Sequence, residues 1–301
     1  MEHLVEAPAY QRKRLSRRLT RARRTARLTQ QQVAASLRWS QSKVTRIESG
    51  DVGVSHTDLL ALLTLYELVN DGVVQELTQM ADIARRPSLP QMSDVHSKAF
   101  REYLENEQVA QTLHSYEPFY VPGLLQTARY RRAVLSNDYR LSSLGKVERA
   151  EVEKKIDQKI EVMRWRQQIL QKDGSLAKAH FVVDESVIRR TIGAEVGDTG
   201  VMREQLELLK SFRDHPKVDL RVIRFSRGAH TGMGSSSYVL LEFPDVDDAP
   251  LLYEENATGE LTTREDEGRI KVASSSFESL QSVASGGAEL ESLLDEVLAV
   301  L

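Results

Sequence analysis

The stretch Leu-Thr-Gln-Gln-Gln-Val-Ala-Ala-Ser-Leu-Arg-Trp-Ser-Gln-Ser-Lys-Val-Thr-Arg-Ile-Glu-Ser-Gly, from Leu28 to Gly50, leaves its backbone little choice. Thr29 followed by Gln32 is a capping-box start, and Val33, Ala34 and Leu37 then fall on one helical face that closes at Arg38-Trp39-Ser40. Ser40 can cap a second helix. Val44 and Ile47 face inward along it, which turns Gln41, Ser42, Lys43 and Arg46 outward. Two short helices therefore meet at a tight turn, and the second presents side chains of the kind that read base edges and grip phosphates.

A core-facing helical hairpin would share this apolar spacing, but the charge argues against it. From Tyr10 to Gly50 there are twelve Lys or Arg and one acid, Glu48, and nine of the bases lie between Arg12 and Arg27. Like charge crowded on one helix is unfavourable in isolation. Beside a polyanion it is favourable, because each neutralised phosphate releases counterions. A membrane-surface helix is the rival for residues 10–27, yet Leu15, Leu19, Ala22 and Ala26 give only a narrow apolar stripe without an aromatic anchor. The expected partner is double-stranded DNA, with no membrane partner.

The 28–50 pattern resembles the XRE-type helix-turn-helix of the repressor and Cro class. The resemblance implies that Gln30 binds a phosphate and that Gln41 meets a base, with Ser42 and Arg46 following it. It also implies an ion pair between Arg23 and Glu48 that ties the preceding helix to the recognition helix, residues 40–47. Lys43 and the helix-one residues Arg24 and Arg27 are expected to hold further phosphates. One position departs from the family. Where a glycine is usual the chain has Arg38, so a residue with a side chain must take the left-handed conformation, at about 1 kcal/mol.

The length of 301 residues suits two domains, and zero cysteines exclude disulfides and thiolate metal sites. Without a secretory segment or a long apolar run, the expected location is the cytoplasm. The net charge of -3 hides an asymmetry: residues 1–86 carry +5 and the rest -8. A basic module is followed by a body that DNA should repel. The expected organisation is a five-helix all-α DNA-binding domain over 1–86, a linker over 87–94 around two prolines, and an α+β domain over 95–301.

Within the first domain, helix one should run from about Gln11 to Arg27. A fourth helix should start at Ser55, with Leu59, Leu60, Leu62, Leu63 and Leu65 closing the core, and a fifth should follow Asp71-Gly72. In the body, the periodicity predicts helices over Val95–Tyr116, Gly123–Leu135 and Lys146–Leu170. It then predicts a strand over Lys178–Asp184, helices over Glu185–Ile192 and Val201–Phe212, and strands over Val218–Arg224, Tyr238–Phe243 and Pro250–Tyr253. An amphipathic helix ends the chain, its stripe running from Leu290 to Leu301.

Chemistry beyond binding finds little support. The seven histidines show no i, i+3 or i+4 pair, so no metal site is expected. Gly228 to Gly234 is glycine-rich, but a strand rather than a helix follows it, and it reads as a hairpin-type loop. Asp184-Glu185 with Arg189 and Arg190 one turn on reads as a helix start with complementary charges rather than as an acid pair in a site. No nucleophile and base are visibly arranged, so neither catalytic residues nor a cofactor are expected.

Five ordered segments nevertheless mark the body: Tyr116 to Tyr130, Arg166 to Leu170, Val183 to Ser186, Met202 to Leu206, and Gly228 to His230 ahead of the strand that begins near Ser236. Together they resemble the C-terminal domain that follows XRE-type modules in many actinobacterial regulators. The resemblance implies a transcription regulator, in some members antitoxin-like, whose partner is often a small protein. A homodimer is expected because two recognition helices about 34 Å apart reach successive major grooves. The fifteen acids against three bases from Glu242 to Leu301, with the stripe at the end, would suit partner docking, unless the last helix packs on its own domain. A small-molecule sensor and a DNA-tethered enzyme are the alternatives for the body.

Overall fold

The computed structural model describes residues 7–86, 96–142, 148–171, 175–194, 197–198, 200–245, 248–256 and 259–301, so the expected linker over 87–94 lies outside the described residues. The chain divides into two compact units, Met1–Pro90 and Gln91–Leu301.

The first unit is all-helical: α1 (Pro8–Thr25), α2 (Gln30–Leu37), α3 (Gln41–Glu48), α4 (His56–Leu65) and α5 (Asp71–Ala84). Helix α1 starts earlier than Gln11 because Pro8 sits in its first turn, where a missing N–H leaves no bond unmade. Each of the next four helices begins on a short polar side chain: Thr29, Ser40, Ser55 and Asn70 accept the amide protons of Gln32, Lys43, Asp58 and Val73. The core joins Leu15, Leu19, Val33, Val44, Ile47, Leu59, Leu63, Leu77 and Met80. Leu60, read from sequence as a core residue, is instead 40% exposed.

The basic run of α1 proves only partly available to an outside partner. Arg12 donates to the Ala84 carbonyl at 3.0 Å, Lys13 donates to that of Ser49 at 3.0 Å, and Arg14 and Arg18 pair with Glu76 at 3.6 and 3.0 Å. These four cations tie α1 to α5 and to the end of α3. The raw charge count therefore overstates the cations facing a polyanion.

The second unit is α+β. It runs α6 (Lys98–Glu107), β1 (Thr112–Glu117), α7 (Ala128–Ser142), α8 (Arg149–Gln167), β2 (Lys178–Asp184), α9 (Glu185–Arg189), α10 (Gly200–Ser211), β3 (Val218–Ile223), β4 (Ser237–Glu242), β5 (Leu251–Asn256), β6 (Gly259–Thr263), α11 (Glu267–Val283), β7 (Ser285–Gly286) and α12 (Gly287–Leu298). The strands form one seven-stranded sheet in the order β6-β5-β4-β1-β2-β3-β7. β1, β2 and β3 are parallel, and the remaining pairings are antiparallel. Helix α11 covers one face, placing Ala273, Phe277 and Leu280 against Tyr116, Val182 and Leu240. On the other face, Leu209 of α10 and Leu290 and Leu294 of α12 meet Val218 and Leu220 of β3.

Three expectations are corrected here. The helix predicted over Val95–Tyr116 ends at Glu107, and its second half is the central strand β1. Val109, Leu113 and Tyr116 keep i, i+4, i+7 spacing and so imitate a helix, but Val109 precedes the strand, and Leu113 and Tyr116, three residues apart within it, are buried on opposite faces of the sheet. The segment around Gly228–Gly234 is no hairpin, because β3 and β4 are separated in the sheet by β2 and β1. It crosses the sheet end, and Gly232 passes so close to the Tyr116 ring that a Cβ there would overlap it. Finally, the stripe of α12 is used at home: Leu290, Leu293, Leu294, Val297 and Leu298 are buried. Three of its four acids pair with its own domain, Glu296 with Arg189, Asp295 with Lys210 and Glu291 with Arg213.

Strand pairing also brings together histidines that are far apart in sequence. His114 and His180 are register partners whose rings stack 5.2 Å apart, and His180 Nδ1 lies 3.1 Å from Asp219. Among the described residues, no group of three or more His, Asp or Glu side chains is arranged to hold a metal ion. Among them, too, no helix is long and apolar enough to cross a membrane.

Candidate nucleic-acid interface

Helices α2 and α3 form the helix-turn-helix. Thr29 and Gln32 complete a reciprocal capping box, the Thr29 amide donating to Gln32 Oε1 at 2.8 Å. Arg38 ends α2 in the left-handed conformation, at φ 54° and ψ 40°, and the Trp39 amide donates back to the Ala34 carbonyl at 2.8 Å. Ser40 then restarts the helix. At the far end of α3, Gly50 has φ +72°, and a Cβ there would stand 3.1 Å from the Lys13 side chain, so only glycine fits without displacement.

Val44 and Ile47 are buried, which fixes the roll of α3. Gln41, Ser42, Thr45 and Arg46 are consequently exposed together on its outer side. The side chains of Arg24, Arg27, Arg38 and Arg46 are exposed and make no hydrogen bond or ion pair among the described residues. These four arginines are the cations left over once the interior links of the unit are made.

Arg23 and Glu48 meet in a two-pronged ion pair. Arg23 Nε lies 2.6 Å from Oε1 and Nη2 lies 2.9 Å from Oε2, while Nη1 donates to the Leu28 carbonyl at 2.7 Å. The two side chains are 11% and 5% exposed. The hydrogen bonds to Glu48 outweigh burial and hold the Arg23 pKa above its ordinary value. Nearby Tyr66 is pushed up by burial and by the Glu48 charge. A buried carboxylate with this many donors orients α3 against α1 and the start of α2.

Two expected phosphate contacts are engaged within the unit. Gln30 donates to Glu48 Oε2 at 2.9 Å and accepts from Thr45 Oγ1 at 3.1 Å, so its amide bridges α2 and α3. Lys43 pairs with Asp58 at 2.7 Å and lies 3.8 Å above the Trp39 ring. Neither link was visible beforehand. Asp58 reads in the sequence as a capping position of α4, and only the packing of α4 beside α3 brings it to Lys43.

The left-handed Arg38 leads to an expected outcome. Arg38→Gly should raise the thermal midpoint of this unit, by an amount equivalent to about 0.5–1 kcal/mol, because glycine adopts that conformation without the Cβ clash. Lower stability in the glycine variant would show instead that the Arg38 side chain holds the turn.

A family model described as a helix-turn-helix domain matches residues 14–77, and one described as a domain of unknown function, DUF5753, matches residues 100–296. No curated protein and no solved structure matches the chain.

Proposed function

The chain belongs to the DUF5753 family, and from that premise and the helix-turn-helix ahead of that domain we propose that it is a sequence-specific DNA-binding transcriptional regulator of XRE type. The observation that carries this is the division of α3, with Val44 and Ile47 buried and Gln41, Ser42 and Arg46 exposed on the opposite side. Such a helix enters the major groove with its exposed side chains against base edges. Gln41 can donate and accept at once and Arg46 can donate twice, which suits bidentate base contacts, and Ser42 suits either base class. Arg24 and Arg27 hold flanking phosphates. In this reading Gln30 keeps one amide proton for a phosphate, and Lys43 exchanges Asp58 for DNA on binding.

The active form is a homodimer in the cytoplasm. The second unit carries the control, through a protein partner as in antitoxin-like regulators, and acts by binding rather than by catalysis. Its charge of -8, against +5 for residues 1–86, keeps it off the DNA and leaves it to protein contact.

The test compares two substitutions on an operator recovered by sequencing the genomic DNA that the protein retains, and on random DNA. Gln41→Ala should cost about 1–3 kcal/mol on the operator and little on random sequence. Lys43→Ala should weaken both alike and reduce the salt slope by about one. Equal losses on the two DNAs for Gln41→Ala would remove Gln41 from base reading. Salt-insensitive binding would remove the DNA assignment itself.

A further inference from the structure

β1 and β2 run parallel and adjacent, and the segments that leave their carboxyl ends, 118–127 and 185–192, border a cleft of about 710 Å³. In open sheets with parallel strands, the crevice beyond the carboxyl ends is where ligands collect. The volume lies within the range of about 300–1,000 Å³ occupied by small-molecule sites. Its walls include Phe119, Tyr120, Val134, Asn137, Arg190 and Ile192.

The cleft displays aromatic surface that the fold does not use. Phe119 is 57% and Tyr120 38% exposed, although both stand in a segment held firmly in place. The Val121 amide donates to the Tyr130 hydroxyl at 3.2 Å, and Gln126 Nε2 donates to the Val121 carbonyl at 2.6 Å. Gln205 accepts from the Thr127 amide at 2.8 Å and donates to the Leu125 carbonyl at 2.7 Å. Ser186, from the segment after β2, donates to the Pro118 carbonyl at 3.3 Å. Gln126 and Gln205 are themselves buried. A mere connection between β1 and α7 does not require two buried amides to lock it. A binding loop does, because order fixed in advance lowers the entropy lost when a ligand arrives.

Among the described residues, charge on the cleft wall comes from one side chain. Arg190 is the only charged residue among the described lining residues, it is exposed, and its guanidinium makes no hydrogen bond or ion pair among the described residues. Its neighbour Arg189 is held by Glu185 and Glu296. A guanidinium beside an apolar wall matches a planar anionic group joined to an apolar body.

We propose that this cleft binds a small amphiphilic organic anion, its aromatic or aliphatic body against Phe119, Tyr120, Val134 and Ile192 and its carboxylate or sulfonate on Arg190. The site goes beyond control by a protein partner and stands whether or not such a partner binds elsewhere on the domain.

The test uses the full chain and two fluorescent probes of nearly the same shape, anionic 1-anilinonaphthalene-8-sulfonate and uncharged N-phenyl-1-naphthylamine. Both should bind saturably. Arg190→Gln should weaken the sulfonate by about tenfold or more, the effect of losing a charged hydrogen bond, and leave the uncharged probe nearly unchanged. Val134→Trp, which fills the cleft, should abolish both. The proposal is overturned if the sulfonate does not saturate, if Arg190→Gln leaves it unaffected, or if that change weakens both probes equally. Should Val134→Trp fail to fold, Arg190→Gln alters only an exposed side chain and still decides. Operator affinity of Arg190→Gln, measured without probe, separates failure of this site from failure of DNA binding.

Discussion

Glu48→Ala is expected to remove about 3–5 kcal/mol from the helical unit, because it leaves the Arg23 guanidinium buried without its counter-charge. The Gln30 amide loses its acceptor in the same step. A unit of this size has about 5–15 kcal/mol of stability in total, so the loss is a large share of it. Each kcal/mol corresponds to about 4–8 °C in the midpoint of a domain of 60–100 residues. In thermal unfolding of the full chain, the transition of the helical unit should therefore fall by more than ten degrees, about 12 °C at the least, while that of the second unit stays in place. DNA binding should fall on every sequence alike, since the recognition helix loses its mounting rather than a base contact. An apolar pair, Arg23→Met with Glu48→Leu, should be less damaging than Glu48→Ala alone, because no charge is left stranded. If Glu48→Ala leaves the transition unmoved and only weakens DNA binding, the pair serves the interface and not the fold.

The counterpart in the second unit is Arg166 with Glu107, for which Arg166→Ala is expected to cost about 3–5 kcal/mol. Arg166 Nε and Nη2 lie 2.8 and 2.7 Å from the two Glu107 oxygens, Tyr103 also bonds Glu107, and the Glu107 side chain has no exposed surface. Burial works against the Arg166 charge, but Glu107 and Tyr103 more than offset it, so the pKa is held above its ordinary value. The guanidinium also lies 5.5 Å from the Phe100 ring centroid, and its Nη1 would stand 3.0 Å from a Cβ on Gly123. The same group thus joins α6 and α8 and supports the loop after β1. Arg166→Lys should recover little, because an ammonium cannot span both carboxylate oxygens. Urea unfolding followed by tyrosine fluorescence reads the effect, and full recovery by lysine would show that charge alone matters at this position.

Local signals were legible where the chemistry is local. Thr29, Ser40 and Ser55 announce their helices because a capping side chain bonds an amide only three residues away. The strand read from the alternation of Val218–Arg224 is present as Val218–Ile223. Long-range pairings leave no such trace. β6 carries one large apolar residue, Leu261, and shows no period, while α11 holds Ala273, Phe277 and Leu280 at i, i+4, i+7 spacing but among serines, which leaves its apolar stripe thin. At the interface the outward face of α3 was legible because two buried residues determine it. The engagement of Lys43 by Asp58 and of Arg12, Lys13, Arg14 and Arg18 by the rest of the unit was not, because charge counts carry no information about which acid or carbonyl the fold brings near.

The position of β1 in the sheet has a consequence for how the molecule comes into being. Thr112–Tyr116 pair on one side with 178–182 and on the other with 238–242. The middle of the sheet therefore cannot close until more than a hundred residues after β1 have left the ribosome, and such distant pairings are slow to form. The five helices ahead of it form a compact unit of their own and can be complete while the second unit is still being synthesised. For that interval the nascent chain holds a finished helix-turn-helix joined to an open set of apolar strands, and the order of synthesis gives the helical unit its shape before the second unit exists.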